Sequence, residues 1–137
     1  MATVKSAIVA LLQTDAQIDN TANLGGLLGH VATEPYGIFY MNPPEEPDFP
    51  CITYNELVRS GRIPVEDYLN FTVWGGDIDA IMARLYELLH DAVLGDTIVI
   101  QNVGIKWNWD GPPIFDDRYK QYTRISRFML KGVRTNA

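Results

Sequence analysis

The chain reads as one α+β domain: a mostly antiparallel sheet of four to five strands with two helices packed on one face. Three observations predict it. Gly75 to Gly95 (GGDIDAIMARLYELLHDAVLG) has one broad apolar face and marked ends. Period-two alternation flanks it on both sides. The connections between strands are short or prolyl, which favours antiparallel neighbours because parallel ones need long crossovers. The 137 residues fit a single domain spanning 1–137, and a chain of this size buries roughly two-thirds of its unfolded surface. Helices layered on one sheet face are the expected arrangement.

The first helix starts after Thr3, a good cap. Val4, Ala7, Ile8, Leu11 and Leu12 share a face, opposed by Lys5, Ser6 and Gln13. Asp15 to Pro35 contains the glycine-broken LGGLLGH (Leu24 to His30) and reads as a packed loop or short turn. Tyr36 to Met41 is a short aromatic strand. Asn42 to Pro50 holds four prolines in nine residues and is a stiff, acidic, exposed loop. Cys51 to Val58 is the next strand, with Ile52, Tyr54 and Val58 on one face, and Arg59 to Pro64 is a turn. Val65 to Trp74 alternates best, turning Val65, Leu69, Phe71 and Val73 inward. In the central helix, Ile78, Ile81, Met82, Leu85, Leu88, Leu89, Ala92 and Val93 form one arc; Asp77 caps the start and Gly95 ends it. Thr97 to Trp109 is a strand region, Asp110 to Asp117 a turn, and Tyr119 to Lys131 closes the sheet. The mixed polarity of that last strand suits a surface that meets something other than bulk water.

Charge is uneven. Ahead of Arg118 stand five basic and 17 acidic residues, a balance of −12; from Arg118 onward there are six basic residues and no acid. Such polarity steers a partner or a second copy of the chain, or pairs within the domain. One cysteine, Cys51, rules out a disulfide framework and a cysteine metal cluster; in an apolar strand it is expected to be a buried, inert thiol. No secretory signal is expected, since Ala7 to Leu12 is short and no cleavage site follows. No apolar run reaches the ~18–20 residues of a membrane span.

Candidate chemistry is sparse. Two histidines supply few catalytic or metal sites. His90-Asp91, with the D-x-D of Asp77 and Asp79, is the one set that a small metal-dependent enzyme or ligand-binding domain could use. The bland reading makes Asp77 a cap, Asp79 a first-turn acid and His90 a surface neighbour of Glu87. The glycines of Leu24 to Gly29 lack the lysine and hydroxyl of a phosphate loop. Trp107, Trp109, Tyr119 and Tyr122 beside basic residues could stack nucleic-acid bases, but a pI near 4.7 argues for a core-facing or subunit-facing set instead. No catalytic residue, cofactor or metal is expected, and the chain is read as not an enzyme. Two stiff acidic loops and a basic last strand suggest an assembly part making head-to-tail contacts.

The order of segments resembles the small tail-completion proteins of tailed bacteriophages, the group of tail terminators and tail-to-head joining proteins. The residues that carry it are the helix with Ala10-Leu11-Leu12; Leu27-Leu28-Gly29; the prolyl loop from Pro43-Pro44 to Phe49-Pro50-Cys51-Ile52; the strand Phe71-Thr72-Val73-Trp74 feeding the helix Ile78 to Leu94; and two closing strands. The resemblance implies a structural virion protein, forming a hexameric ring that caps the tail tube and joins the head connector while genomic DNA passes through the lumen without sequence-specific binding. A head-completion or neck adaptor is the alternative. It implies a place in the tail or neck of the virion, reached from the host cytoplasm, and no membrane. The family supplies no catalytic residues. By exposure and charge, the expected contact residues are Glu45, Glu46 and Asp48 in the first loop, Asp110, Asp116 and Asp117 in the second, and Arg124 and Arg127 on the last strand.

Overall fold

The computed structural model describes residues 4–15, 18, 27–28, 37–45, 49–57, 65–95 and 100–134. Helix α1 (Val4–Thr14) precedes three strands: β1 (Ile38–Tyr40), β2 (Cys51–Leu57) and β3 (Val65–Trp74). Helix α2 (Ile78–Leu89) leads to β4 (Val93–Gly95), β5 (Ile100–Asp110), β6 (Ile114–Asp116) and β7 (Gln121–Arg134). The strands form one sheet in the order β1-β2-β3-β7-β5-β4, with β6 also paired to β7. Every pairing is antiparallel except β1 with β2. The α+β class is therefore as expected, with seven strands in place of four or five.

Both helices feed one core. Ile8 and Leu12 of α1 and Ile81, Met82, Leu85 and Leu89 of α2 pack with Ile52, Leu69, Phe71, Val73, Ile105, Phe128 and Leu130 of the sheet. Leu69, Phe71 and Val73 follow the period-two pattern, so the opposite residues of β3, Tyr68, Asn70 and Thr72, lie on the sheet face turned away from α2. Arg84 binds the helices together. Its Nε and Nη2 donate to the two carboxylate oxygens of Asp15 at 3.1 and 2.6 Å. Asp15 Oδ2 also accepts from Ile18 N at 2.9 Å, so one carboxylate anchors both the end of α1 and the middle of α2. The Arg84 guanidinium is held above its ordinary range, first by Asp15 and then by Glu87.

Several expectations are corrected. The central helix stops at Leu89, not at Gly95. His90 turns extended and Asp91 is left-handed (φ 64°). The backbone of Asp91 and Ala92 then exchanges hydrogen bonds with Ile105, and Gly95 lies in β4. The β-branched Val93 finds a ladder partner on β5, and pairing wins over one more helical turn. The β1–β2 connection is parallel despite its shortness. β1 has only three residues, so residues 41–50 suffice to return the chain. Asp110 to Asp117 is not all turn: β6 pairs with β7, making β5, β6 and β7 one long hairpin broken at Gly111-Pro112-Pro113. The last strand is interior to the sheet, between β3 and β5. Leu11 is partly exposed at 36% where a core position was expected. Of the aromatic set expected to face the core or a subunit, Trp107 and Trp109 are exposed, at 40% and 45%, which corrects the core-facing reading alone. The expected turn over residues 59–64, Val58 and most of residues 15–35 lie outside the described residues.

Candidate interaction surface

At the N-terminus of α2, Asp77 Oδ1 accepts from Ala80 N at 3.3 Å, the expected cap. The turn before it is built by Gly75 and Gly76, both left-handed; a Cβ on Gly76 would stand 2.7 Å from Pro50 Cβ. Within the first turn of the helix, Asp79 accepts from Arg124 Nη1 at 2.9 Å, and Arg124 Nε donates to the Gly111 carbonyl at 2.9 Å. Asp110 Oδ1 accepts from Ser126 Oγ at 2.7 Å and from Trp107 Nε1 at 2.9 Å. These groups border an open groove of about 660 Å³ between α2 and β5, floored by Met82, Ala83, Tyr86 and Trp107. Its charged side chains are engaged: Arg124 with Asp79, Glu87 with Arg84, and Asp110 with its two donors.

The metal alternative does not assemble. Asp77 and Asp79 sit at the start of α2 and His90 follows its end, roughly 18 Å along a helix of that length. His90 does not meet Glu87 as expected. Its ring stacks on Tyr86, with centroids 4.7 Å apart, and Nδ1 accepts from Trp107 N at 3.0 Å. Nε2 lies 3.4 Å from Asp91. Asp91 is also bonded to Lys106 Nζ, which holds its carboxyl below the ordinary value. Among the described residues no three His, Cys, Asp or Glu side chains cluster as metal ligands. Cys51 is buried as expected, and burial pushes its thiol up to about 12.

The sheet face away from α2 carries Arg127. Nε donates to Asn70 Oδ1 at 2.8 Å, across the β3–β7 register that pairs those two residues. The guanidinium lies against the rings of Tyr68 and Trp109, 5.4 and 5.7 Å from their centroids. Trp109 reaches that face because a bulge between Trp107 and Trp109 shifts the β5 register by one residue. Higher on the same sheet, Trp74 Nε1 donates to Thr53 Oγ1 at 2.9 Å, and Tyr119 packs edge-on against Trp74 and Phe49.

Of the eight expected contact residues, the six among the described residues do not converge on one site. Glu45 is exposed on the prolyl loop, behind a buried Pro43; Glu46 and Asp48 lie outside the described residues. Asp110 serves its own strand pair, and Asp116 Oδ1 accepts from Tyr119 N at 2.9 Å to shape the β6–β7 turn. Asp117 is exposed at that turn. Arg124 is occupied within its own chain, and Arg127 faces the other way. Sequence reasoning missed the apolar end of the long hairpin, where Ile114, Phe115 and Tyr122 are 57%, 45% and 59% exposed and Phe115 meets Tyr122 edge-on at 5.1 Å. The signal was present: Ile114-Phe115-Asp116 and Gln121-Tyr122-Thr123 alternate on either side of four turn residues.

The fold and this surface define a small α+β domain whose charged groups are committed to structure or turned outward. No protein-family model matches the chain, and no curated protein does. Among solved structures it is similar to a chain of the virion of the native gene transfer agent (GTA) particle, with 16% identity, a TM-score of 0.66, and coverage of 97% of this chain and 96% of that one. At that identity the likeness is one of fold, and it runs through both chains almost end to end.

Proposed function

We propose that this chain is a structural, non-enzymatic virion protein: a tail terminator that assembles as a hexameric ring, caps the tail tube and joins it to the head connector. The observation that carries the reading is the fold shared along nearly the whole length with a chain of a gene transfer agent virion. The segment order that resembles the tail-completion family supports it independently. So does the charge: a net −6 keeps duplex DNA from adhering to a lumen as it passes. The partners on this reading are copies of the chain, the tail tube protein and the connector, in the virion and, during assembly, in the host cytoplasm.

The test is electron microscopy of particles made without this protein. Overlong tube-like tails with unjoined heads are expected. Tails of normal length that fail to join heads would instead assign the neck adaptor role. Normal joined particles would remove both.

A further inference from the structure

The two cations expected to make contacts are not equivalent. Arg124 has spent its guanidinium on Asp79 and the Gly111 carbonyl. Arg127 is tied only through Nε, and its Nη1 and Nη2 have no hydrogen-bond partner among the described residues. Two aromatic rings and Asn70 fix it in place without a carboxylate. This is a preorganised fork, the geometry with which arginine takes a carboxylate in two parallel hydrogen bonds.

We infer that the sheet face around Arg127 seats residues 42–45 of a second copy of this chain, with Glu45 as the carboxylate that meets the guanidinium. The inference rests on the ring reading for the identity of the occupant. Charge complementarity argues for it. The chain concentrates its acids ahead of Arg118 and its surplus cations after it. Glu45 is exposed and has no cation partner among the described residues. Within one chain it cannot serve Arg127, because β2 and β3 stand between the loop and β7. Pro43 and Pro44 stiffen the loop, so little conformational freedom is lost on docking. Tyr40 and Met41, 47% and 54% exposed, precede it, and Trp109 beside Arg127 is 45% exposed, so each patch carries apolar surface next to its charge. Two different patches meeting in this way make a heterologous contact, the kind that closes into a ring.

Sedimentation velocity of the purified chain tests the contact, with thermal melts to confirm folding. Wild type is expected to self-associate. Arg127→Glu and Glu45→Arg should each weaken association by about tenfold, and the double variant should recover most of it. A wild type that stays monomeric, an Arg127→Glu chain that associates as tightly as wild type, or a double variant no better than the singles would overturn the contact. Should Arg127→Glu fail to fold, Glu45→Arg on the exposed loop decides alone, and unchanged association overturns it. If Arg127→Glu releases a duplex DNA fragment while association is untouched, the fork takes phosphate and the contact is wrong. Assembly insensitive to both variants leaves the terminator reading standing, because tail length in particles lacking the protein tests that separately.

Discussion

At the scale of single residues, stability rests on groups whose partners are distant in sequence. Asp15 is the clearest: its side chain is 9% exposed and accepts from Arg84, 69 positions away, and from Ile18. Asp15→Ala leaves Arg84 with Glu87 as its remaining carboxylate partner and unties Ile18 N, and should cost about 1–3 kcal/mol by chemical denaturation. Asp77→Ala removes the α2 cap and should cost about 1 kcal/mol. Cys51 should resist thiol reagents at pH 8 in the native protein and react on unfolding, since burial holds the thiol protonated at about 12. Asp91 gives the pH dependence a sign. Its folded-state pKa lies below its ordinary 3.8, with the Lys106 hydrogen bond as the main cause. Its contribution is therefore complete above the ordinary carboxylate range and fades as pH falls through the folded value. An NMR titration should place its midpoint below 3.8, and Lys106→Met should return it toward that value.

At the scale of elements, α2 is the test piece. Leu85 is fully buried against the sheet, and Leu85→Ala should cost about 2–5 kcal/mol. Ile81→Asp places a charge in the same core and should abolish soluble expression. Gly76→Ala should destabilise by more than about 1 kcal/mol, because its φ is 64° and Pro50 occupies the space a Cβ needs. The length of α2 was legible at its start and not at its end. Asp77, Asp79 and the apolar spacing mark the start locally. The end depends on Ile105 offering its backbone to Asp91 and Ala92, a partner that no local pattern reveals. The bulge at Trp107–Trp109 is hidden for the same reason: the sequence alternates without interruption, and only the register on β7 shows the extra residue.

At the scale of the whole molecule, the charge division seen along the chain is redistributed by the fold. Part of it is neutralised inside one copy, as in Arg124 with Asp79. Part is left outward, as in Arg127 and Glu45. Association through such patches should weaken steeply between low and high salt, as a sedimentation series would show. The β3 span from Val65 to Trp74 is legible to the residue because its alternation is strong, and Leu69, Phe71 and Val73 are buried on one face. For the contact residues, charge and loop position predict exposure but not whether a partner in the same chain has already claimed the group, as Asp79 claims Arg124.

From the sequence alone came the α+β class, the two helices, the best strand, the cap and the inert cysteine. Each follows from periodicity or a neighbour within a few residues, and such short-range physics is written locally. The tertiary structure decided where α2 ends, that β7 is interior, that β1 and β2 run parallel, and which of two arginines keeps its Nη donors without a partner among the described residues. Those outcomes depend on pairings between segments tens of residues apart, whose competing energies are settled only when the whole sheet forms.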